Sequence, residues 1–287
     1  MSLLNVIVLA IVQGFAELLP VSSSAHVVVA EKLLGLDPSS PPMTLLLVML
    51  HTGTMLAVIV YFWPQWRSTY FQSTGTFKAI AARVIVATVL TAVVGEALIK
   101  IIEKTLLRAG PHSEIEDLFS HLEFIAPALA VAGLLILWAG FSERRRSARN
   151  DSGTNEITTK RAALIGMVQG LCLPFRGFSR SGATISAGML LGIAKARAEA
   201  FSFALAVVIT PPVVAREVQR LVRSPHVDGA LGSVALLTLI GAAVAFCAGL
   251  LALKWLSRWL ESGRWSRFGI YCLFAAAAVT YLHGAGF

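Results

Sequence analysis

Residues 12–26 read VQGFAELLPVSSSAH, and this stretch interrupts an otherwise apolar sequence with glycine, proline and three serines. Residues 168–184 read VQGLCLPFRGFSRSGAT, begin with the same tripeptide and interrupt a second apolar region in the same way. Inside a bilayer every backbone N–H and C=O must be satisfied within the protein, so such clusters occur only where they line a protein cavity. Paired broken helices in the two halves of a chain also indicate a binding site. We therefore predict two re-entrant helical hairpins, at 3–34 and 162–194.

The composition predicts an all-α integral membrane protein. Of the 287 residues, 56% are hydrophobic and 14% are charged, whereas a soluble domain has about 25% charged residues. A helix needs about 20 apolar residues to cross the hydrocarbon core. Six apolar runs reach or approach that length, and we predict six transmembrane helices at 43–63, 80–102, 123–141, 200–222, 230–253 and 268–283.

The two polar stretches belong to an internal repeat. They lie 156 residues apart, and the same shift superposes Ser23 on Ser179. It also lays the first predicted span over the fourth and the second over the fifth. Each half then contains one hairpin and three spans, and because three is odd the second half enters the membrane with inverted topology. We predict two inverted repeats, 1–150 and 151–287, joined by the basic linker 143–161, with the site at the midplane between them.

The net charge of +8 predicts an orientation in the membrane and no nucleic-acid binding, because the basic residues lie in loops and not on one domain face. Lys and Arg mark cytoplasmic loops, and they crowd three predicted loops near 67–83, 144–161 and 254–267. The acidic loop 103–123 and both termini then lie outside. Three arginines fall on the outer side against this rule: Arg216, Arg220 and Arg223.

Glu17 is the strongest functional candidate of the first stretch. It follows Gln13 by four residues, so the two side chains share one helix face. A carboxylate inside a membrane is costly and marks a functional site or a specific partner. Two interpretations follow: a protonated Glu17 bonded to a neighbouring helix, or a ligand for a divalent metal that can also transfer protons.

Pro20 ends the first half-helix, because proline lacks a backbone donor and restricts the residue before it. Ser22, Ser23 and Ser24 follow at the start of the next half-helix, where serine is a favoured cap. His26 lies on their face, one turn later. A helix N-terminus directs N–H groups at an anion, and a hydroxyl beside an imidazole is the minimal activated nucleophile. Helix capping alone also explains the serines.

The second stretch predicts a phosphate site. It combines close backbone approach, hydroxyl groups and a guanidinium in Gly177, Ser179, Arg180, Ser181 and Thr184. Arginine donates two parallel hydrogen bonds that suit phosphate oxygens. Arg180 can instead serve as a structural counter-ion to Glu17, and a phosphate bound between them satisfies both interpretations. His51, polar in the middle of a predicted span, either lines the pocket or makes an interhelical hydrogen bond.

With these motifs the sequence resembles the undecaprenyl-diphosphate phosphatase family of bacterial cell-envelope enzymes, which is also linked to bacitracin resistance. Its Glu/Gln-x-x-x-Glu motif matches residues 13–17 and continues into LPVSSSAH, and its Pro-Gly-x-Ser-Arg-Ser-x-x-Thr motif matches 176–184. The segments LHTGTMLAVIVYFW and AEAFSFALAV are similar to the family as well. Two positions depart from the pattern. Gln13 stands where many members have Glu, which leaves one carboxylate fewer for a metal, and Arg176 stands where the motif has Pro.

The resemblance implies a metal-dependent phosphatase of the bacterial inner membrane. It would convert undecaprenyl diphosphate into undecaprenyl phosphate and return the lipid carrier to cell-wall synthesis, and its site would open to the periplasm. Glu17 and Gln13 would hold Mg²⁺ or Ca²⁺ and perform acid–base work. Ser23 would be the nucleophile or a hydrogen-bonding group, His26 a general acid, base or nucleophile, and Arg180 the diphosphate ligand. The other residues predicted to bind or support the substrate are Ser22, Ser24, His51, Gly177, Ser179, Ser181 and Thr184.

A different class of function remains open from the sequence, namely a secondary transporter or flippase for an anionic lipid. Inverted repeats and broken helices are typical of transporters, and a fold does not establish a function. A transporter has little need for Glu, Ser and His opposite an Arg. The sequence also leaves open the preferred lipid chain length, and it is compatible with an oligomer.

Overall fold

We describe the fold from a computed structural model, in which residues 2–37, 40–106, 122–149, 153–223 and 231–284 are described. This part of the chain forms ten α-helices. They are α1 (Leu3–Leu18), α2 (Ser23–Leu33), α3 (Pro41–Thr69), α4 (Thr74–Leu106), α5 (Leu122–Ser147), α6 (Thr159–Cys172), α7 (Arg180–Leu190), α8 (Lys195–Arg223), α9 (Leu231–Glu261) and α10 (Ser266–Gly284). The all-α prediction is confirmed for these residues, in which β pairing is limited to an isolated bridge between Thr154 and Ile193.

Four of these helices are long and apolar enough to cross a membrane, which supports a multi-pass membrane protein. The four segments are Pro42–Thr69 in α3, Thr74–Thr105 in α4, Phe124–Ser147 in α5 and Ala235–Glu261 in α9. The predicted spans 200–222 and 268–283 also form helices, α8 and α10, but these are not among the four. Three charged residues occupy the first five positions of α8: Lys195, Arg197 and Glu199.

Helices form on both sides of each predicted break. Leu18 ends α1 and Ser23 begins α2, while Cys172 ends α6 and Arg180 begins α7. All four helices lie at the predicted hairpins, although α6 starts three residues earlier than expected. A proline stands in each break, where its missing N–H prevents the helix from continuing.

Some helices extend beyond the apolar runs that predicted them. The last turns of α5 reach Ser147 and so include the first residues of the predicted linker. Arg and Glu are good helix formers, and Ser147 adds a hydrogen bond from its Oγ to Glu143 Oε1 at 2.6 Å. Helix α4 likewise continues to Leu106, into the predicted loop 103–123. Residues 107–121 of that loop lie outside the described residues. The side chains of Arg216, Arg220 and Arg223, the arginines that do not follow the charge rule, also lie outside them.

The described chain packs as two compact units. The first unit contains α1, α2, α3 up to Pro64, α8 from Ala206 and α9 up to Leu256. The second unit contains Pro20–Ser22 and the remaining parts of the helices. Each unit therefore draws helices from both halves of the chain. The boundary between the predicted repeats, at residue 150, stays a prediction.

The glycine of the repeated Val-Gln-Gly tripeptide packs in an equivalent way in both units. In the first unit Gly14 of α1 lies on α9, where an added methyl group would be 2.5 Å from the Cβ of Ala248. In the second unit Gly170 of α6 lies on α4, where a methyl group would be 2.8 Å from the Cβ of Val94. Small residues let two helix backbones approach this closely. The partners α4 and α9 contain the two spans that the repeat superposes, and the internal repeat itself stays a prediction.

The core of the first unit positions the face of α1 that carries Glu17. This core is formed by Val6, Leu9, Ala10, Met43, Leu46, Leu50 and Ala245, from α1, α3 and α9. Residues 6, 10 and 13 of α1 are buried and recur at helical spacing, so the next turn brings Glu17 to the same face. The apolar packing of α1 therefore determines the direction in which its carboxylate points.

Candidate active site

The carboxylate of Glu17 is the centre of a polar cluster in the first unit. The hydroxyl of Ser23 donates to Glu17 Oε2 at 2.5 Å, and Gln13 Nε2 donates to the same oxygen at 3.3 Å. His51 Nε2 lies 3.8 Å from this oxygen. The side chain of Glu17 is 13% exposed, so its carboxyl group is largely shielded from solvent. A carboxylate that accepts a hydrogen bond from a hydroxyl group is in position to act as a general base and to activate that hydroxyl as a nucleophile.

The break between α1 and α2 brings Ser23 back onto α1. Ser22 lies in this break with φ of +70°, a left-handed backbone that is uncommon for residues other than glycine. Helix α2 then starts at Ser23, which places the Ser23 hydroxyl against a side chain six residues earlier in the chain. Ser23 and Ser24 begin the helix as predicted, whereas Ser22 belongs to the turn and not to the helix.

His51 lies beside Glu17 with a defined ring orientation. Its Nδ1 is 2.8 Å from the carbonyl oxygen of Leu47. A carbonyl oxygen only accepts, so this contact assigns a proton to Nδ1. The other ring nitrogen, Nε2, therefore faces Glu17, as a lone pair in the neutral ring and as an N–H in the protonated ring. This agrees with the interpretation that His51 lines the site.

The hydrogen bond from Ser23 goes to Glu17. The sequence had suggested two other interpretations, an imidazole partner in His26 and helix capping. His26 is half-buried on α2, one turn after Ser23. Its role in proton transfer stays a prediction, as do contacts of Ser22 and Ser24 with a substrate.

The second motif builds the N-terminus of α7. Ser179 caps this helix, because its Oγ accepts the backbone N–H of Gly182 at 3.2 Å. Arg180 is the first helical residue and is half-buried. The positive end of the helix dipole favours an anion at this end. The positive charge of Arg180 also favours an anion at the start of α7.

Gly177 makes the close backbone approach that the motif predicted. Its φ is +100°, and an added methyl group would lie 2.5 Å from the carbonyl oxygen of Ile125 on α5. Only glycine combines this backbone conformation with this contact. The loop before α7 is therefore held against α5 in the second unit.

Thr184 contacts other protein groups through its hydroxyl. Its Oγ1 donates to the carbonyl oxygen of Arg180 at 2.8 Å and lies 2.5 Å from Ser202 Oγ on α8. Thr184 is fully buried, and Ser181 is 8% exposed. Thr184 thus ties α7 to α8, and substrate contacts of the serines and threonine of this motif stay predictions. Ser202 was not predicted from the sequence. The one feature that could have indicated it is its position in the segment AEAFSFALAV, which is similar to the family.

The break of the first hairpin lies on α7 within the second unit, to which Pro20–Ser22 belong. A methyl group at Gly182 would be 3.2 Å from the Cβ of Pro20, so glycine lets the break pack on the first turn of α7. The thiol of Cys272 on α10 donates to the carbonyl oxygen of Pro20 at 3.3 Å. Pro20 of the first polar stretch therefore packs against Gly182 of the second.

The donor set of the first cluster fits a divalent ion that binds together with a diphosphate. Among the described residues, no three side chains of His, Cys, Asp or Glu come together as a ligand set. Glu17 would provide a carboxylate oxygen to such an ion, and Gln13, whose Nε2 donates to Glu17 Oε2, would provide its amide oxygen. Mg²⁺ is usually held by one or two carboxylates together with substrate phosphates, and one carboxylate is what this cluster provides.

Comparison with known proteins agrees with the two motifs. Residues 6–278 match the family described as Bacitracin resistance protein BacA. The chain belongs to this family. It is 54% identical to undecaprenyl-diphosphatase 2 of Acinetobacter baylyi, with 98% of each chain covered. It is 34% identical to undecaprenyl-diphosphatase 2 of Burkholderia orbicola, over 96% of this chain and 95% of that one. The undecaprenyl-diphosphatase of Gluconacetobacter diazotrophicus is also 34% identical, over 99% of this chain and 98% of its own.

Proposed function

We propose that the protein is a membrane phosphatase that hydrolyses undecaprenyl diphosphate to undecaprenyl phosphate and inorganic phosphate. This reaction recycles the lipid carrier for cell-wall synthesis. The names of the relatives support the substrate. The hydrogen bond from Ser23 to Glu17 carries the chemistry, because it couples a hydroxyl nucleophile to a base in a shielded site.

The reaction uses this pair directly. Ser23 Oγ attacks the terminal phosphorus, and the hydroxyl proton passes to Glu17. The bond between the terminal phosphorus and the bridging oxygen breaks, and undecaprenyl phosphate leaves. Water then hydrolyses the phosphoserine and releases phosphate. In the alternative route water attacks the phosphorus, Glu17 takes its proton, and Ser23 only donates a hydrogen bond.

Binding of the diphosphate requires compensation of its charge. Arg180 and the N–H groups at the start of α7 are suited to its oxygens. A divalent cation held by Glu17 and Gln13, Mg²⁺ or Ca²⁺, supplies charge neutralisation when it is bound. A carboxylate has two oxygens, so cation binding and acceptance of a proton do not exclude each other. We assign proton delivery to the leaving oxygen to His26, and further substrate contacts to Ser22, Ser24, His51, Gly177, Ser179, Ser181 and Thr184.

The membrane arrangement completes the proposal. Six spans and two re-entrant hairpins are supported by the helices that cover each predicted segment, and the orientation by the basic loops. We place the protein in the bacterial inner membrane with its site open to the periplasm and the prenyl chain among the membrane lipids. An oligomer is compatible with this arrangement.

Phosphate release tests the function. We expect the purified protein in detergent to release inorganic phosphate from undecaprenyl diphosphate in the presence of Mg²⁺ or Ca²⁺, and to stop when a chelator removes the ion. The second candidate, a transporter or flippase, is favoured by the equivalent packing of Gly14 and Gly170. Transport requires two compartments, so release in detergent assigns hydrolysis. A folded protein that releases no phosphate but moves the lipid across vesicle membranes would contradict the proposal.

Replacing Ser23 with alanine separates the two routes of attack. We expect Ser23→Ala to lower kcat by more than about 1000-fold, because the nucleophile is lost. A loss of only about 10- to 100-fold is the size of a lost hydrogen bond to a charged group and would assign the attack to water. Radiolabelled phosphate should be trapped on the wild-type protein and not on the variant.

Ser147→Ala is the matched control for this substitution. Ser147 also donates to a glutamate, Glu143 Oε1, at 2.6 Å, but on α5 and outside the candidate site. Its variant should keep wild-type turnover. A comparable loss in both variants would mean that the effect at Ser23 is structural.

A further inference from the structure

The break between α1 and α2 contains a buried backbone carbonyl that is satisfied from a distant helix. Cys272 on α10 donates its thiol to the carbonyl oxygen of Pro20 at 3.3 Å, although the two residues are 252 positions apart. Cys272 is fully buried. A carbonyl without a partner inside the protein is costly, more so at membrane depth. The thiol therefore satisfies a buried hydrogen-bond acceptor at this break in addition to filling space.

A second contact holds the same break from another helix. Gly182, in the first turn of α7, approaches Pro20 so closely that an added methyl group would be 3.2 Å from the proline Cβ. Ser22, two residues further, has the left-handed backbone with φ of +70°. The break is thus fixed on two sides, by a side-chain donor on α10 and by backbone packing on α7.

The fixed break leads directly into the reactive serine. Only Val21 and Ser22 separate Pro20 from Ser23, and Ser23 is the first residue of α2. The orientation of the Pro20 carbonyl therefore sets the direction in which the chain enters α2. A displacement of about 1 Å at a reacting group can cost on the order of 100-fold in rate, so a small rotation of this break is sufficient to affect turnover.

We infer that Cys272 is a positioning residue for phosphate release, acting through the Pro20 carbonyl on the placement of Ser23. The inference rests on the proposed role of Ser23 in hydrolysis. Cys272 has no contact with the reacting atoms in this scheme, and Arg180 binds the diphosphate independently of it. Loss of the thiol should therefore lower kcat and leave KM nearly unchanged.

Three substitutions separate the hydrogen bond from packing. Cys272→Ser keeps a donor, Cys272→Val fills a similar volume without one, and Cys272→Ala removes the donor without any risk of overpacking. We expect the valine and alanine variants to lose roughly three- to tenfold in kcat, the size of one neutral hydrogen bond. The serine variant should stay within about twofold of the wild type. All variants are measured as purified full-length protein, with unfolding temperature recorded in parallel.

Thr280→Val on the same helix is the matched control. Thr280 Oγ1 donates at 2.9 Å to the carbonyl oxygen of Ala276 within α10, so this substitution also removes one donor with little change in volume. It should leave kcat unchanged. Wild-type kcat in Cys272→Val and Cys272→Ala, or a serine variant as impaired as both, would overturn the positioning role. A wild-type protein that releases no phosphate would instead reject the proposed function, and this role together with it.

Discussion

Glu17→Gln should lower kcat for phosphate release by roughly 1000-fold, within the range of general-base catalysis. Glutamine has the shape of glutamate but no charge and almost no basicity. The variant cannot accept the proton of Ser23, whose hydroxyl lies 2.5 Å from Glu17 Oε2. It also weakens binding of a divalent cation, so the Mg²⁺ concentration for half-maximal activity should rise. Steady-state rates over a series of Mg²⁺ concentrations measure both effects.

Glu31→Gln is the matched control for this substitution. Glu31 lies on α2 in the same unit and is 2% exposed, so it tests the loss of a buried carboxylate outside the cluster. We expect its kcat to stay near the wild-type value. Gln13→Ala should have an intermediate effect, because a neutral amide is a weaker ligand than a carboxylate. A Glu17→Gln protein with wild-type turnover at saturating Mg²⁺ would remove Glu17 from the mechanism.

Arg180→Lys should lower kcat/KM by roughly 10- to 100-fold, the size of a lost charge-assisted hydrogen bond. Lysine keeps the positive charge at the start of α7 but cannot donate two parallel hydrogen bonds to a phosphate group. Arg180→Ala should be lower still, because the charge is also lost. Steady-state kinetics with undecaprenyl diphosphate and with a shorter prenyl diphosphate measure the effect and show whether it depends on the lipid chain.

Arg176 provides two controls in the same loop. It is exposed, and Arg176→Lys makes the same chemical change outside the helix. Arg176→Pro restores the residue that the family motif has at this position. Both variants should retain most of the activity. A fully active Arg180→Lys together with an inactive Arg176→Pro would show that the phosphate ligand has been assigned to the wrong arginine.

Local sequence was sufficient to predict the helices at the two breaks. Pro20 lacks a backbone N–H, and in a membrane the apolar runs on either side of it form helices, because a helix satisfies its own backbone hydrogen bonds. The cap of α7 by Ser179 was not predicted, although a serine before a helix commonly accepts a backbone N–H two or three residues later. The shared face of Gln13 and Glu17 was predicted, because it follows from four-residue spacing.

The partners of the site residues were harder to predict. Ser-x-x-His suggested an imidazole as one partner of Ser23, since the two share a helix face, and helix capping as the other interpretation. The hydrogen bond instead goes to Glu17, because the left-handed turn at Ser22 directs the start of α2 back onto α1. A positive φ at serine has no sequence signal of its own, so the turn could not be anticipated.

The sequence by itself determined the elements of this protein, the membrane environment and the family, because these depend on composition, helical spacing and motifs that act over a few residues. Only the tertiary structure decided which groups meet. The bond between Thr184 and Ser202 and the contact of Cys272 with Pro20 join residues that no local pattern relates. Such pairs form when helices pack, since a buried hydroxyl or carbonyl must find a partner among whatever the neighbouring helix presents. A serine or cysteine in an apolar helix does not reveal which partner that will be.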